Sequence, residues 1–529
     1  MGHLAGTGAV LRLLVRRDRV RLLVWVGAVV ALVLVTAVST EGIYPTQADL
    51  DLAAAAAQDN PVALAFNGPD QALDTLGGQV AFQVGAFGLT LVGLMSVLLL
   101  GRATRGEEES GRLELVRSMP VGRHAPLVAA LLVVGAAQVL AATGSTLSLL
   151  SIGLDLHGSL VFGAGLLAVG VLFLALTAVT AQVAENPRVA TGAAGGILGA
   201  SYVLRGVGDM SGGALSWLSP VGWAQKARPF AGETWWPLAL AAVVTVVLLG
   251  AALVLAERRD FGGGLVAPRP GPPRADPGLR GPAALALRLH RAAIAWWAGG
   301  TAILGFIYGS LTSSIEDFIG DNEAMAEMLA SLEGVSLVDS YLATSLLITA
   351  LLAAGPGLQI AGRMRAEEAE LRAEPMLAAP MERRTWMGAH VAFALGGTAL
   401  AMLAGGLALA LGNAATGGGA DRILELTVDA LLYLPALFVV VGAAIVLFGL
   451  RPRWTAGGWF VLAACFVIAM FGPLLDLPQW AFDLSPVQHV PPAPASAIRA
   501  LPLVMLGALG VALIGGGFAA FRRRDLATA

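Results

Sequence analysis

The chain has 529 residues, of which 57% are hydrophobic and only 13% charged, with a mean hydropathy of +0.75 and a formal net charge of −3. Soluble domains carry about 25% charged residues, so this composition cannot cover large water-exposed globules, and the near-neutral balance gives no ground for a nucleic-acid partner. The single cysteine, Cys465, rules out an intrachain disulfide and any two-cysteine metal motif.

The N-terminal segment carries Arg12, Arg16, Arg17, Arg19 and Arg21 and leads into an apolar run with no small-residue cleavage site soon after, so that run is expected to be a retained first span. Twelve such runs follow one another, most near the ~20 residues that cross a bilayer core of ~30 Å. In the first half they are Leu22–Ser39, Val80–Leu100, Leu127–Leu149, Leu160–Val183, Val189–Leu204 and Trp236–Ala256. In the second they are Ala292–Thr312, Tyr341–Ala361, Gly388–Leu411, Ala430–Leu450, Ala456–Leu474 and Ala500–Phe518. Lipid offers the backbone no hydrogen-bond partner, so runs of this length are helices. The expectation is an all-α polytopic membrane protein with twelve transmembrane helices. A Pro/Gly-rich linker, 262–283, separates a first six-helix half, 1–261, from a second, 284–529.

Arginine placement sets the expected orientation. Five arginines precede the first span and five more lie in Gly101–Ala125, whereas Glu41–Gln79 and Ser313–Ser340 contain no Lys or Arg. Both termini, the linker and the charged loops are therefore expected in the cytoplasm of a multi-pass plasma-membrane protein. The two acidic loops are expected outside.

The two halves echo each other. At an offset of 260, Arg105, Glu107, Glu108, Arg112, Glu114, Pro120 and Arg123 fall on Arg365, Glu367, Glu368, Arg372, Glu374, Pro380 and Arg383. At 265, Pro187-Arg188 falls on Pro452-Arg453 and Arg258-Arg259-Asp260 on Arg523-Arg524-Asp525; at 266, LSPV at Leu218 recurs at Leu484; and Arg19-x5-Trp25 recurs as Arg291-x5-Trp297. Five landmarks in one order indicate a duplication. An even number of spans per half makes the repeat parallel.

Each charged island, GEEESGRLELVRSMPVGR from Gly106 and AEEAELRAEPMLAAPMER from Ala366, is expected to form a short helix with an acidic face. Glu108–Arg112 and Glu368–Arg372 have i,i+4 spacing, and Glu107–Glu114 and Glu367–Glu374 have i,i+7 spacing. Topogenic charge accounts for the arginines. Matched acids in both halves point further, to a repeated docking surface for a partner.

These islands, the arginine-rich lead into the first span and LSPVGWAQKARPFAGETWWPL at Leu218–Leu238 resemble the fused permease subunits of type-2 ABC exporters. The similarity is to the actinobacterial "exporter of polyketide antibiotics" (tetronasin-type multidrug efflux) group, and covers essentially the whole chain. The second half departs from the pattern after its LSPV, reading QHVPPAPAS. The resemblance implies the type-2 exporter permease fold, with a coupling helix between the second and third spans of each half. It places Arg105, Glu107, Glu108, Arg112, Glu114 and Pro120, with Arg365, Glu367, Glu368, Arg372, Glu374 and Pro380, against two copies of a cytoplasmic ATPase. It likens Leu11–Leu22 and Leu287–Ile294 to membrane-surface elbow helices. It also implies a cavity for hydrophobic cargo lined by the second and fifth spans of each half, with Phe82, Phe87, Met95, Phe466, Met470 and Phe471 as candidate contacts.

A Walker A loop needs G-x-x-x-x-G-K-[ST], and the only lysine, Lys226, is followed by alanine. No catalytic or metal site is expected, and ATP and Mg2+ belong to a separate subunit. Two rivals remain, a proton-driven antiporter and a non-transporting scaffold. The antiporter needs ionisable groups within the spans, but no acidic residue lies mid-span, and Asp429 and Glu185 stand near span ends.

Overall fold

The computed structural model describes residues 2–525 except 59–63, 65, 211–212, 261, 267–272, 275–276, 280, 313–335, 379–380 and 473–476. Every regular element among the described residues is helical, and extended pairing is confined to one bridge between Ala184 and Val266. Eleven helices among the described residues are long and apolar enough to cross a membrane. The chain is an all-α polytopic membrane protein, and it divides into two compact units, Met1–Gly271 and Pro272–Ala529.

The first unit contains α1 (Thr7–Ile43), α2 (Leu76–Gly101), α3 (Ala125–Ser151), α4 (Leu156–Val183), α5 (Pro187–Met210) and α6 (Trp236–Arg258). Local chemistry places their starts. Thr75 caps α2 by accepting from the Gly78 amide at 3.0 Å, Asp155 caps α4 by accepting from Gly158 at 2.9 Å, and prolines open α3, α5 and α6. Helix α1 packs on α3, while α4 packs on α2, α3 and α6. Val29, Leu89, Val92, Phe162 and Phe173 meet in the core. Helices α1 and α6 leave Leu23, Val24, Val246 and Val247 exposed, as lipid-facing helices do.

The structure revises two expectations here. The fifth run does form a helix, but Arg188, Arg205 and Asp209 within α5 keep it below the hydropathy that marks the other eleven. The N-terminal elbow is not a separate helix. Leu11–Leu22 is continuous with the first span in a single helix of 37 residues, about 56 Å at 1.5 Å per residue. No proline interrupts Thr7–Ile43, so nothing in the chain forces a corner. Leu287–Ile294 is likewise part of one long helix.

The second unit contains α7 (Pro282–Ser310), α8 (Leu337–Ala369), α9 (Arg383–Ala415), α10 (Arg422–Leu450), α11 (Gly457–Phe471) and α12 (Ala500–Arg523). Helices α8 and α10 each break for a residue or two just before Pro356 and Pro435, where the ring removes a backbone donor. Helix α7 packs on α9 and α10 on α12, the same pairings as α1–α3 and α4–α6. The α7–α9 approach is the tightest kind. A Cβ added at Gly305 or Gly309 would fall on the carbonyl oxygens of Gly405 and Leu409, so hydrogen at these positions lets the two backbones touch.

Part of the expected linker is fastened rather than free. The Leu265 and Val266 amides donate to the carbonyls of Gln182 and Val183 at 3.2 and 3.1 Å, laying this stretch along the end of α4. The charged islands lie where α2 meets α3 and where α8 meets α9.

Candidate functional site

In the first unit α2 continues as a π-helical turn, Arg102–Gly106, and one α turn, Glu107–Glu109. The chain then breaks at Gly111, whose φ of 71° is left-handed, and resumes as Arg112–Arg117. The break corrects the expected single helix. Glu108 and Arg112 do not pair, and Glu107 and Glu114 do not share a helical face.

Glu108 instead turns inward. Its carboxylate accepts from Arg105 Nη1 at 2.7 Å, from Arg259 Nη1 at 2.9 Å and from Arg259 Nη2. Arg259 stands at the end of α6 and also donates from Nε to Gln182 Oε1 at 2.7 Å. Arg105 is fully buried, donating to the carbonyls of Ala181 at 2.5 Å and Gly263 at 2.9 Å. The clamp therefore joins the ends of α2, α4 and α6. Glu107 faces α1, accepting from Arg17 Nη1 at 2.5 Å, with Arg112 Nη1 at 3.9 Å. Beside it Asp18 is held by Arg17 at 2.7 Å, Arg21 at 2.9 Å and Arg102 at 3.6 Å. These N-terminal arginines thus do packing work beyond setting topology.

The second unit repeats the arrangement. Glu368 accepts from Arg524 Nη1 at 2.5 Å and Nη2 at 2.8 Å, at the end of α12. Glu367 accepts from Arg363 Nε at 2.8 Å and Arg372 Nε at 3.2 Å. Burial acts to lower the Arg372 pKa, but the Glu367 and Glu370 carboxylates outweigh it and raise the value above that of a free guanidinium. Even the outer brace recurs: Arg123 donates to the Arg259 carbonyl at 2.9 Å, and Arg383 to the Arg524 carbonyl at 2.8 Å. The match ends at Arg365. It is exposed, unlike its counterpart Arg105, and forms no ion pair among the described residues.

The predicted island residues therefore fall into two sets. Glu107, Glu367 and Glu368 are buried and Glu108 half-buried, and all four are paired within their own unit, with side chains 5–10% exposed. Arg112, Glu114, Pro120, Arg365, Arg372 and Glu374 are exposed, and Pro380 lies outside the described residues. Arg259 and Arg524 were not among the expected site residues, although their shared offset of 265 already set them apart as a repeated Arg-Arg-Asp.

Leu371 occupies the position of Gly111 and takes the same left-handed turn, with φ 58°. That conformation costs a side chain roughly 1–2 kcal/mol. Leu371→Gly is thus expected to raise the stability of the second unit by about 1 kcal/mol, and Gly111→Leu to lower that of the first by a similar amount. Thermal unfolding of the purified chain in detergent reads both.

Within each unit the expected cavity residues have different surroundings. Phe82 lines a cleft of about 480 Å³ with Gln71, Leu89, Phe162, Leu166 and Gln225. Phe87 is exposed and stands 6.4 Å from the Tyr202 ring. Met95 is fully buried in the packing of α2 against α1 and α3. In the second unit Phe466 is exposed and Met470 half-buried; the side chain of Phe471 lies outside the described residues. At the end of the first unit opposite the islands, Pro220–Gln225 forms a short helix packed on α4, α5 and α6, and Lys226 Nζ sits 4.9 Å from the Trp217 ring centre. Among the described residues, the corresponding stretch of the second unit has Gln479–Asp483 and a single turn at Pro486–His489.

Comparison with known proteins places the chain beside permeases. Residues 279–522 match the family model of the C-terminal domain of the multidrug efflux system permease Rv1217c. The whole chain is similar to the multidrug efflux system permease protein Rv1217c of Mycobacterium tuberculosis. The two are 38% identical over 524 residues, covering 98% of this chain and 95% of the relative.

Proposed function

The chain belongs to the family of multidrug efflux system permeases, and from that premise we propose that it is driven by a separate ABC ATPase acting on its two charged islands. It is the membrane permease subunit of an efflux pump, a transporter and not an enzyme. In the proposed arrangement the charged end of each unit faces the cytoplasm, with both termini, and the pump resides in the plasma membrane. Two copies of the ATPase hold the ATP and Mg2+. Each seats on one island, and closure of the pair draws on α2 and α3 in one unit and on α8 and α9 in the other. A hydrophobic, drug-like or polyketide cargo leaves outward as the units move.

The observation that supports this reading is the repeated mounting. In both units a short helix, Arg112–Arg117 or Ala373–Ala378, presents an exposed acid, Glu114 or Glu374, and follows a carboxylate that an arginine fastens to the last helix. A solvated loop needs no such anchor. A surface that must pass a pull into the helices does, because a rigid joint moves the helix where a floppy one absorbs the stroke.

The exposed acids carry the test. Co-purification with candidate ABC ATPases is measured for the wild-type chain and for Glu114→Lys combined with Glu374→Lys. Reversing two rim charges is expected to weaken assembly about tenfold and to lower ATP hydrolysis in step, with unchanged melting of the permease. Unaltered assembly and hydrolysis would return the islands to solvated loops.

A proton-driven route has one observation in its favour. Asp429 in α10 is buried, and its Oδ2 has no hydrogen-bond partner. Asp429→Asn is expected to leave efflux intact if the ATPase drives it. Loss of transport in that variant, with the chain still folded, would favour the antiporter.

A further inference from the structure

The start of the chain is held at the charged end of the first unit by backbone hydrogen bonds. The Gly122 amide donates to the Ala5 carbonyl at 2.8 Å and the His124 amide to the His3 carbonyl at 3.1 Å. Gly122 permits this approach, since a Cβ there would fall on the His3 carbonyl oxygen. The His3 ring is thereby stacked on the His124 ring, with centroids 5.4 Å apart and planes 24° apart. On the other side the last turn of α6 brings Glu257, whose Oε1 lies 3.0 Å from His124 Nε2. That glutamate is also positioned through its backbone, as Arg123 donates to the Glu257 carbonyl at 2.8 Å.

The ligand atoms of His3, His124 and Glu257 all lie within 4.8 Å of one another. Two imidazoles and a carboxylate bound at ~2.0–2.2 Å to a tetrahedral ion sit ~3.3 Å from each other, and the His124–Glu257 pair already shows that spacing. A second feature sets the site apart from an ordinary His–Glu contact. His124 is only 7% exposed, so packing holds its ring with Nε2 facing Glu257. The second unit has no counterpart. At the duplication offsets of 260 and 265, His124 and Glu257 correspond to Arg384 and Arg522, side chains that repel a cation.

We propose that His3, His124 and Glu257 form a site for one divalent zinc ion per chain. Two nitrogen donors and one carboxylate suit a borderline cation better than Mg2+ or Ca2+. The fourth position is open to water. The ion fastens the chain start to the beginning of α3 and the end of α6, two residues from the arginine that clamps Glu108. The site stands on its own geometry and does not depend on how the pump is driven.

The test uses the full-length chain purified in detergent and stripped with a chelator. Co2+ serves as a visible-absorption probe, and Zn2+ is added in competition and in thermal melts. The expected result is saturation at one Co2+ per chain, full displacement by Zn2+ and a higher melting temperature with Zn2+. His3→Ala and Glu257→Gln, both on exposed side chains, are each expected to weaken binding tenfold or more while the metal-free melt stays at the wild-type value. No saturable uptake by the folded chain would overturn the proposal. Binding by His3→Ala as tight as wild type would overturn it equally, because the ion would then sit elsewhere.

Discussion

Glu108→Lys is expected to unfold or severely destabilise the first unit, at a cost on the order of 3–5 kcal/mol. The side chains of Glu108, Arg105 and Arg259 are 8%, 1% and 11% exposed. The variant would leave two buried guanidiniums without their carboxylate and add a third cation beside them. Glu368→Lys is expected to do the same to the second unit, where Arg524 is the one ion-pair partner of the carboxylate among the described residues. Melting temperature and detergent-extracted yield are the readouts. The exchanged pair Glu108→Arg with Arg259→Glu is expected to recover part of the loss, since the attraction is restored although Arg105 then faces a cation. A Glu108→Lys chain that melts like wild type would mean that water reaches the clamp and that it joins nothing.

Gly309→Leu is expected to separate α7 from α9 and cost about 3 kcal/mol or more. The side chain has nowhere to go but into the Leu409 carbonyl and the Asn413 amide, and backbone cannot rotate aside as a side chain can. Because the crossing also uses Gly412 against the Phe306 carbonyl, the clash cannot be relieved by sliding one helix along the other. Gly299→Leu provides the control. It lies on the same helix with no atom within 4 Å of its would-be Cβ and is expected to be neutral in detergent melts. Equal behaviour of the two variants would show that the α7–α9 contact is looser than drawn.

Most of the helices were legible because length and hydropathy report membrane crossing almost directly. The duplication was legible because charged residues are sparse, so each one that recurs stands out. What the sequence concealed was direction. Spacing on an ideal helix turned Glu107 and Glu108 outward, and it missed that Gly111 and Leu371 end that helix in left-handed turns. Glycine at 111 hints at such a stop, but leucine at 371 argues against one, and only the structure shows both. The partners of the carboxylates lie far along the chain, where no local pattern reaches. Met95 shows the same limit on the apolar side: period and hydropathy place it in a span, but only the structure shows it fully buried.

The clamps also bear on how the protein is made. Glu108 leaves the ribosome 151 residues ahead of Arg259, and Glu368 leads Arg524 by 156. At about 5–20 residues per second each carboxylate waits roughly 8–30 s for its arginine. Until the final helix of a unit is inserted, its first helices are held at one end by an incomplete knot. Nascent chains stalled before Arg259 has left the ribosome should therefore be open to quality-control proteases at the second helix, and chains stalled long enough after it to free α6 should not.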